Sequence, residues 1–200
     1  MTDLARKSSS YVITLTVSHL NSDISDYEIN MSGWSIHRSD RVGRKGGGVI
    51  TLIHEDLIVS EDKSYSDSTS ESLMLYISDL NMGLITVYGP PNCDTALFGN
   101  NLRNINKWME AIQNKHPSVT FCITGDFNMG FFKDWNYQEI NSFVNRNIER
   151  RESHATLVDY KTQAMDLIDF CDKWSLSQRI DEGTRNGRIL DLMLKKHIYI

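Results

Sequence analysis

Gly125-Asp126-Phe127-Asn128 places a carboxylate and a carboxamide two residues apart. An acid beside an amide suits phosphate chemistry. The acid takes a proton from water or binds a metal ion, and the amide donates to a phosphoryl oxygen. The pair follows an apolar run, Val119-Thr120-Phe121-Cys122-Ile123-Thr124, that reads as a buried strand. Successive strand side chains alternate in direction, so residues i and i+2 point the same way. If the extended geometry continues, Asp126 and Asn128 face one site together. The same residue types also fit an Asx-rich turn after a strand, and both readings stay open here. Two more residues belong with this pair. Tyr88 ends the apolar stretch before Gly89-Pro90-Pro91-Asn92, and Asp191 lies within Leu190-Asp191-Leu192. A carboxylate inside a buried strand needs a partner. Tyr88, by contrast, also fits a core aromatic whose hydroxyl finds a backbone acceptor.

Strand ends must position these groups. β-Branched and aromatic runs predict strands at 11–17, 33–37, 49–53, 72–77, 83–88, 119–124 and 189–194. Residues 79–83 read as a hairpin connection, and 21–30 and 60–72 as polar loops. Gly46-Gly47-Gly48 permits tight turns or close backbone approach. No Lys-Ser or Lys-Thr follows at P-loop spacing, so the glycines are not a nucleotide cradle. Phe98, Leu102, Ile105, Met109 and Ile112 step by four, three, four and three, the stripe of a helix covering a sheet. Ala164, Leu167, Ile168, Cys171 and Trp174 predict a second core-facing helix, and 139–154 is polar with helical character. Strand pairs mixed with long covering helices predict an α+β layered sandwich.

The 200 residues fit one domain over 11–200, preceded by a disordered polar start at 1–10. No apolar run approaches the ~18 residues of a membrane span. The start lacks the apolar core of a secretory signal, so intracellular residence, nuclear or cytoplasmic, is expected. Cys93, Cys122 and Cys171 lack the spacing of a zinc site and read as packing thiols. A net charge of −5 argues against binding nucleic acid by bulk charge alone. Arg38, Arg41, Arg44 and Lys45 nonetheless form a local basic run, either a solvated loop or a phosphate contact. The six histidines are scattered and read as ordinary surface or satisfied residues.

Taken in order, Tyr88-Gly89-Pro90-Pro91-Asn92, Gly125-Asp126-Phe127-Asn128 and Leu190-Asp191-Leu192 resemble the endonuclease/exonuclease/phosphatase superfamily of DNase I-like fold. Gly33-Trp34-Ser35-Ile36-His37-Arg38-Ser39-Asp40-Arg41 followed by Gly46-Gly47-Gly48-Val49 is similar to the apurinic-type endonuclease domain of non-LTR (LINE-type) retrotransposons, as is Thr184-Arg185. The resemblance spans residues 13–194. It implies a four-layer α/β sandwich and Mg²⁺-dependent hydrolysis of DNA phosphodiesters, with a reverse transcriptase region as a partner in the parent element. In that setting Asp126 orients or deprotonates the attacking water and ligates the metal. Asn128 holds the phosphate, Tyr88 donates its hydroxyl near the scissile group, and Asp191 supports the site. The basic run 38–45 becomes a candidate DNA contact.

Three departures set the expected activity. The metal-binding glutamate of the family falls on Val17 in Leu15-Thr16-Val17-Ser18-His19-Leu20, and valine cannot coordinate a cation. The family's closing Ser-Asp-His has no counterpart after Asp191, and its first strand has none before Tyr11, so the first and last strands are expected to be missing. Arg188 stands where a small hydroxyl residue is usual. General acid–base help is worth ~10²–10⁴-fold, so cleavage is expected to be weak or lost. The alternatives are a non-catalytic nucleic-acid or protein-binding module on the same scaffold, or another phosphodiesterase acting on a lipid or inositol phosphate headgroup.

Overall fold

Two sheets are laid face to face, and helices cover one outer side. The computed structural model describes residues 10–42, 46–66, 71–90, 93–128, 138, 142, 154–180, 182 and 191–196. The expected α+β sandwich is the observed architecture. The smaller sheet holds β1 (Val12–Thr16), β2 (Trp34–Ser39) and β3 (Val49–His54), antiparallel in the order β1-β3-β2. The larger holds β4 (Val59–Ser66), β5 (Glu71–Ile77), β6 (Met82–Tyr88), β7 (Thr120–Asp126), β8 (Leu176–Gln178) and β9 (Asp191–Lys196), in the order β4-β5-β6-β7-β9-β8. Helix α1 (Thr95–Lys115) is the crossover between β6 and β7, which pair in parallel. Helix α2 (His154–Trp174) follows β7 in the described order.

Alternation along the strands divides the core in two. Met74, Tyr76, Ile85, Val87, Phe121, Ile123, Leu192 and Leu194 point toward α1 and α2. Leu73, Leu75, Ile77, Leu84, Tyr88 and Cys122 point toward Val49 and Ile53 of the smaller sheet. A buried hydrogen bond between the Thr51 and Thr86 hydroxyls, 3.0 Å long, ties the two sheets at the centre. At the margin, His37 Nδ1 lies 2.5 Å from Asp62 Oδ2 and joins β2 to β4.

Helix α1 shows how the sequence sets an element's bounds. Asp94 Oδ1 accepts from the amides of Ala96 (2.8 Å) and Leu97 (3.1 Å), which caps the first turn. Phe98, Leu102, Ile105, Met109 and Ile112 then face the sheet, all of them buried. Asp94→Ala should lower stability by about 1 kcal/mol in urea unfolding, with an unchanged dependence on denaturant.

Residues 60–72, expected as a loop, are largely strand: β4 runs from Val59 to Ser66 along β5. An edge strand takes its backbone hydrogen bonds from one neighbour and leaves polar side chains in water, so its Ser/Asp/Glu/Lys content carries little strand signal. β8 has three residues, too few for a pattern. The expected helix at 139–154 lies mostly outside the described residues, as do residues 1–9 of the polar start. Residues 21–30 are turns and loop, as expected. Arg38, opposite Ile50 on the outer face of the smaller sheet, donates through Nη2 to the carbonyls of Asn21 (3.2 Å) and Ile24 (2.8 Å). This ties the turn segment to a face whose Ile50 and Leu52 are buried. No helix among the described residues is long and apolar enough to cross a membrane.

Candidate functional site

The strand register assembles a row of polar groups across the larger sheet. Glu71 is opposite Tyr88, Tyr88 opposite Asp126, and Asp126 opposite Asp191. Each lies at a strand terminus. β5 and β9 begin with Glu71 and Asp191, while β6 and β7 end with Tyr88 and Asp126. All four therefore stand at one edge, and alternation turns them to the face shared with the smaller sheet. Three of the residues singled out in the sequence, Tyr88, Asp126 and Asp191, are brought together in this way.

Asn128 joins them by a route other than the extended one. β7 ends at Asp126, and Phe127 is buried in the helix-side core. Asn128 has a left-handed backbone, φ 51°. Its amide donates to Asp126 Oδ1 at 2.9 Å, and its Nδ2 donates to the Gly89 carbonyl at 2.8 Å. The Asx turn is thus the geometry adopted, because the Asp126 carboxylate captures the amide two residues on. The Gly89 amide also donates to the Asp126 carbonyl at 2.8 Å, so the ends of β6 and β7 are bound to each other twice.

Glu71 is the member that the sequence reading missed. Its side chain is fully buried, and that of Arg41 is only 9% exposed. Arg41 Nε donates to Glu71 Oε1 at 2.5 Å and Nη2 donates to Oε2 at 3.1 Å. The Gly48 amide donates to the same Oε2 at 3.1 Å. Gly46, Gly47 and Gly48 all have φ near +80°, at 81°, 78° and 81°. A Cβ on Gly47 would stand 2.5 Å from Arg41 Cζ, so the glycine loop is the bed of the guanidinium. An acid heading an otherwise apolar strand, Glu71-Ser72-Leu73-Met74-Leu75-Tyr76-Ile77, was the available signal. Reading the preceding residues as loop concealed it.

Arg41 Cζ lies over the Tyr88 ring, 5.1 Å from its centroid. Burial raises the Tyr88 hydroxyl above the ordinary phenol range. Arg41 opposes that rise, while Asp126 and Glu71 add to it. Arg38 pairs with Asp26 and Asp40, each at 3.1 Å. The guanidinium groups of Arg38 and Arg41 therefore face carboxylates of the protein itself. Arg44 and Lys45 fall outside the described residues. Val17 follows β1 with a left-handed backbone (φ 55°) and is 36% exposed. Burial raises the Cys122 thiol and pushes that of Cys171 up to about 12, as suits packing residues.

Among the described residues no three His, Cys, Asp or Glu side chains converge to hold a metal ion. The oxygen donors on the row are Asp126, Asp191 and Glu71, and Arg41 already neutralises Glu71. Mg²⁺ is commonly held by one or two carboxylates, water and substrate phosphate. Asp126 and Asp191 fit that sparse mode of binding.

No protein-family model matches the chain. No curated protein matches it either. Solved structures do. The endonuclease domain of TRAS1, a telomere-specific non-LTR retrotransposon, aligns over 98% of this chain and 77% of its own, with a TM-score of 0.55 and 12% identity. The AP endonuclease LMAP from Leishmania major aligns over 97% and 72%, with a TM-score of 0.56 and 13% identity. The mannosyl-6-phosphatase Bt3783 from Bacteroides thetaiotaomicron aligns over 97% and 74%, with a TM-score of 0.57 and 9% identity. Against TDP2 from C. elegans the chain spans 40% of that protein's length. With its paired sheets and covering helices, the chain has the DNase I-like fold of these structures.

Proposed function

We propose that this is an endonuclease-like domain related to those of non-LTR retrotransposons, which engages DNA phosphodiesters and cleaves them weakly or not at all. The observation that carries the reading is the row Tyr88–Asp126–Asp191 at one sheet edge. Asp126 orients the attacking water and takes its proton. The Asn128 carboxamide has two N–H donors. One is held by the Gly89 carbonyl, which fixes the group so that the other can meet a phosphoryl oxygen. Tyr88 donates its hydroxyl beside the scissile group, and Asp191 supports Asp126 from the next strand. Asp126 and Asp191 would hold Mg²⁺, which when bound neutralises charge developing on phosphate oxygens. Val17 supplies no third ligand, and this is the reason to expect slow chemistry. Residues 11–200 form the domain, Arg38, Arg41, Arg44 and Lys45 are the basic candidates for DNA contact, and a reverse transcriptase region accompanies the domain inside the cell.

A plasmid-nicking assay with Mg²⁺, run beside Asp126→Ala, tests this. The wild type should nick at or just above background, and Asp126→Ala should remove whatever excess is seen. Rapid metal-dependent nicking that the variant abolishes would overturn the expected loss of activity. Failure of the wild type to bind DNA at low salt would overturn the DNA reading itself. The substitution at Val17 also favours a second reading, a binding module on the same scaffold, for which DNA is retained with equal affinity by Asp126→Ala.

A further inference from the structure

We propose that Ser35, His37 and Asp62 form a Ser–His–Asp relay that gives this chain a second chemistry, the hydrolysis of small activated esters through an acyl group on Ser35. The relay is separate from the row of strand-end groups and does not depend on how that row is read. Asp62 is opposite Leu75, and Glu71 heads the same strand as Leu75, about 13 Å away along it.

Strand alternation brings the three groups together. Ser35 and His37 are two positions apart on β2, so their side chains share a face. Their partners on β3 are Ile53 and Thr51, which face the larger sheet. Asp62 is the β4 partner of Leu75, which faces the smaller sheet. β2 and β4 are the margins of their sheets, and the three side chains meet between them. Ser35 Oγ lies 3.1 Å from His37 Nε2, and His37 Nδ1 lies 2.5 Å from Asp62 Oδ2. A nucleophile touching its base, with the base oriented by an acid, is the geometry of nucleophilic acyl transfer. Ser35 is exposed to incoming substrate, while the His37 side chain is only 14% exposed.

Donors and acceptors place the proton. Ionised Asp62 only accepts, so Nδ1 of His37 carries the ring hydrogen, and Nε2 of the neutral ring is an acceptor. The Ser35 hydroxyl then donates to Nε2. Its other acceptor, the Ile53 carbonyl, is farther away at 3.3 Å. A tie between two sheet margins needs only the bond from His37 to Asp62. The hydroxyl on the opposite ring nitrogen adds a nucleophile to that tie. The Glu55 amide donates to the Gly33 carbonyl, so residues 33, 35 and 37 turn their backbone toward β3 and the Ile36 amide points away from it. That amide follows the nucleophile directly and is available to an oxyanion. In the reaction Ser35 Oγ attacks the ester carbonyl carbon, and its proton passes to Nε2. The carbonyl pair moves onto oxygen and returns as the bond to the leaving oxygen breaks. His37 gives the proton to that oxygen, which departs as the alcohol. Water then attacks the acyl-Ser35 by the same relay and releases the acid and the free serine.

A fluorophosphonate and p-nitrophenyl acetate test the relay in the full chain. The fluorophosphonate should label Ser35 with loss of fluoride, as located by peptide mass spectrometry, and the acetate should be hydrolysed. Ser35→Ala should remove the adduct and the catalysed hydrolysis. His37→Gln should slow both by about 10²-fold or more. Asp62→Asn should slow both by about 10-fold or more, because an amide can donate to Nδ1 and reverse the ring tautomer. A wild type without an adduct at Ser35, or an adduct formed as fast in His37→Gln, overturns the proposal. Circular dichroism checks that the variants are folded. Should His37→Gln not fold, hydrolysis undiminished in Ser35→Ala overturns it.

Discussion

Gly125→Ala should destabilise the domain by on the order of 3–5 kcal/mol, enough to unfold many single domains. Gly125 has φ 136°, a conformation essentially confined to glycine. A Cβ there would lie 1.9 Å from the Val87 carbonyl oxygen and 2.9 Å from two further backbone atoms of Val87. Backbone cannot rotate aside as a side chain can, so the strands would have to part. β6 and β7 are the central parallel pair of the larger sheet, held between β5 and β9. Separating them costs ladder hydrogen bonds on both sides and pulls Tyr88 from Asp126. Urea unfolding measures the loss, and a midpoint like that of the wild type would refute the argument.

Glu71→Ala should cost about 3–5 kcal/mol, because it leaves the Arg41 charge buried without its partner. It also removes the acceptor of the Gly48 amide, which adds to the loss. The paired replacement Glu71→Leu with Arg41→Met should recover most of the stability, since removing both charges leaves none uncompensated. Urea unfolding of the two singles and the double gives the coupling. Additive losses would show that the pair does not act as a unit. The recovered double variant would keep the fold and still lack the cation over the Tyr88 ring.

What could be read from the sequence divides along physical lines. The β-branched and apolar runs gave β3, β5, β6 and β7 because these strands are largely buried, and β1 through its β-branched residues although it is only half-buried. β4 was hidden because an edge strand is half solvated. Asp126 was legible as chemistry, but its turn with Asn128 was not decidable, since extended and Asx geometries use the same residue types. The register that aligns Glu71, Tyr88, Asp126 and Asp191 depends on pairing between distant segments, which no local pattern specifies. Arg41 read as a member of a solvated basic run because its partner lies thirty positions away. A buried acid and a nearby arginine are each visible in a sequence, but their pairing appears only when two sheets meet.

The row at the sheet edge also has a kinetic meaning. Its members come from residues 71, 88, 126 and 191, so they meet only after long stretches of chain have closed into loops. Contacts of such sequence separation form late and slow folding. β9 in particular must dock beside β7 before Asp191 reaches Asp126. A nascent chain released as far as α2 would carry strands β4 to β7 with an acid at position 126 and no second acid beside it. Whatever the site binds, it becomes available only when the last described strand is in place, so no partly folded chain offers the complete row.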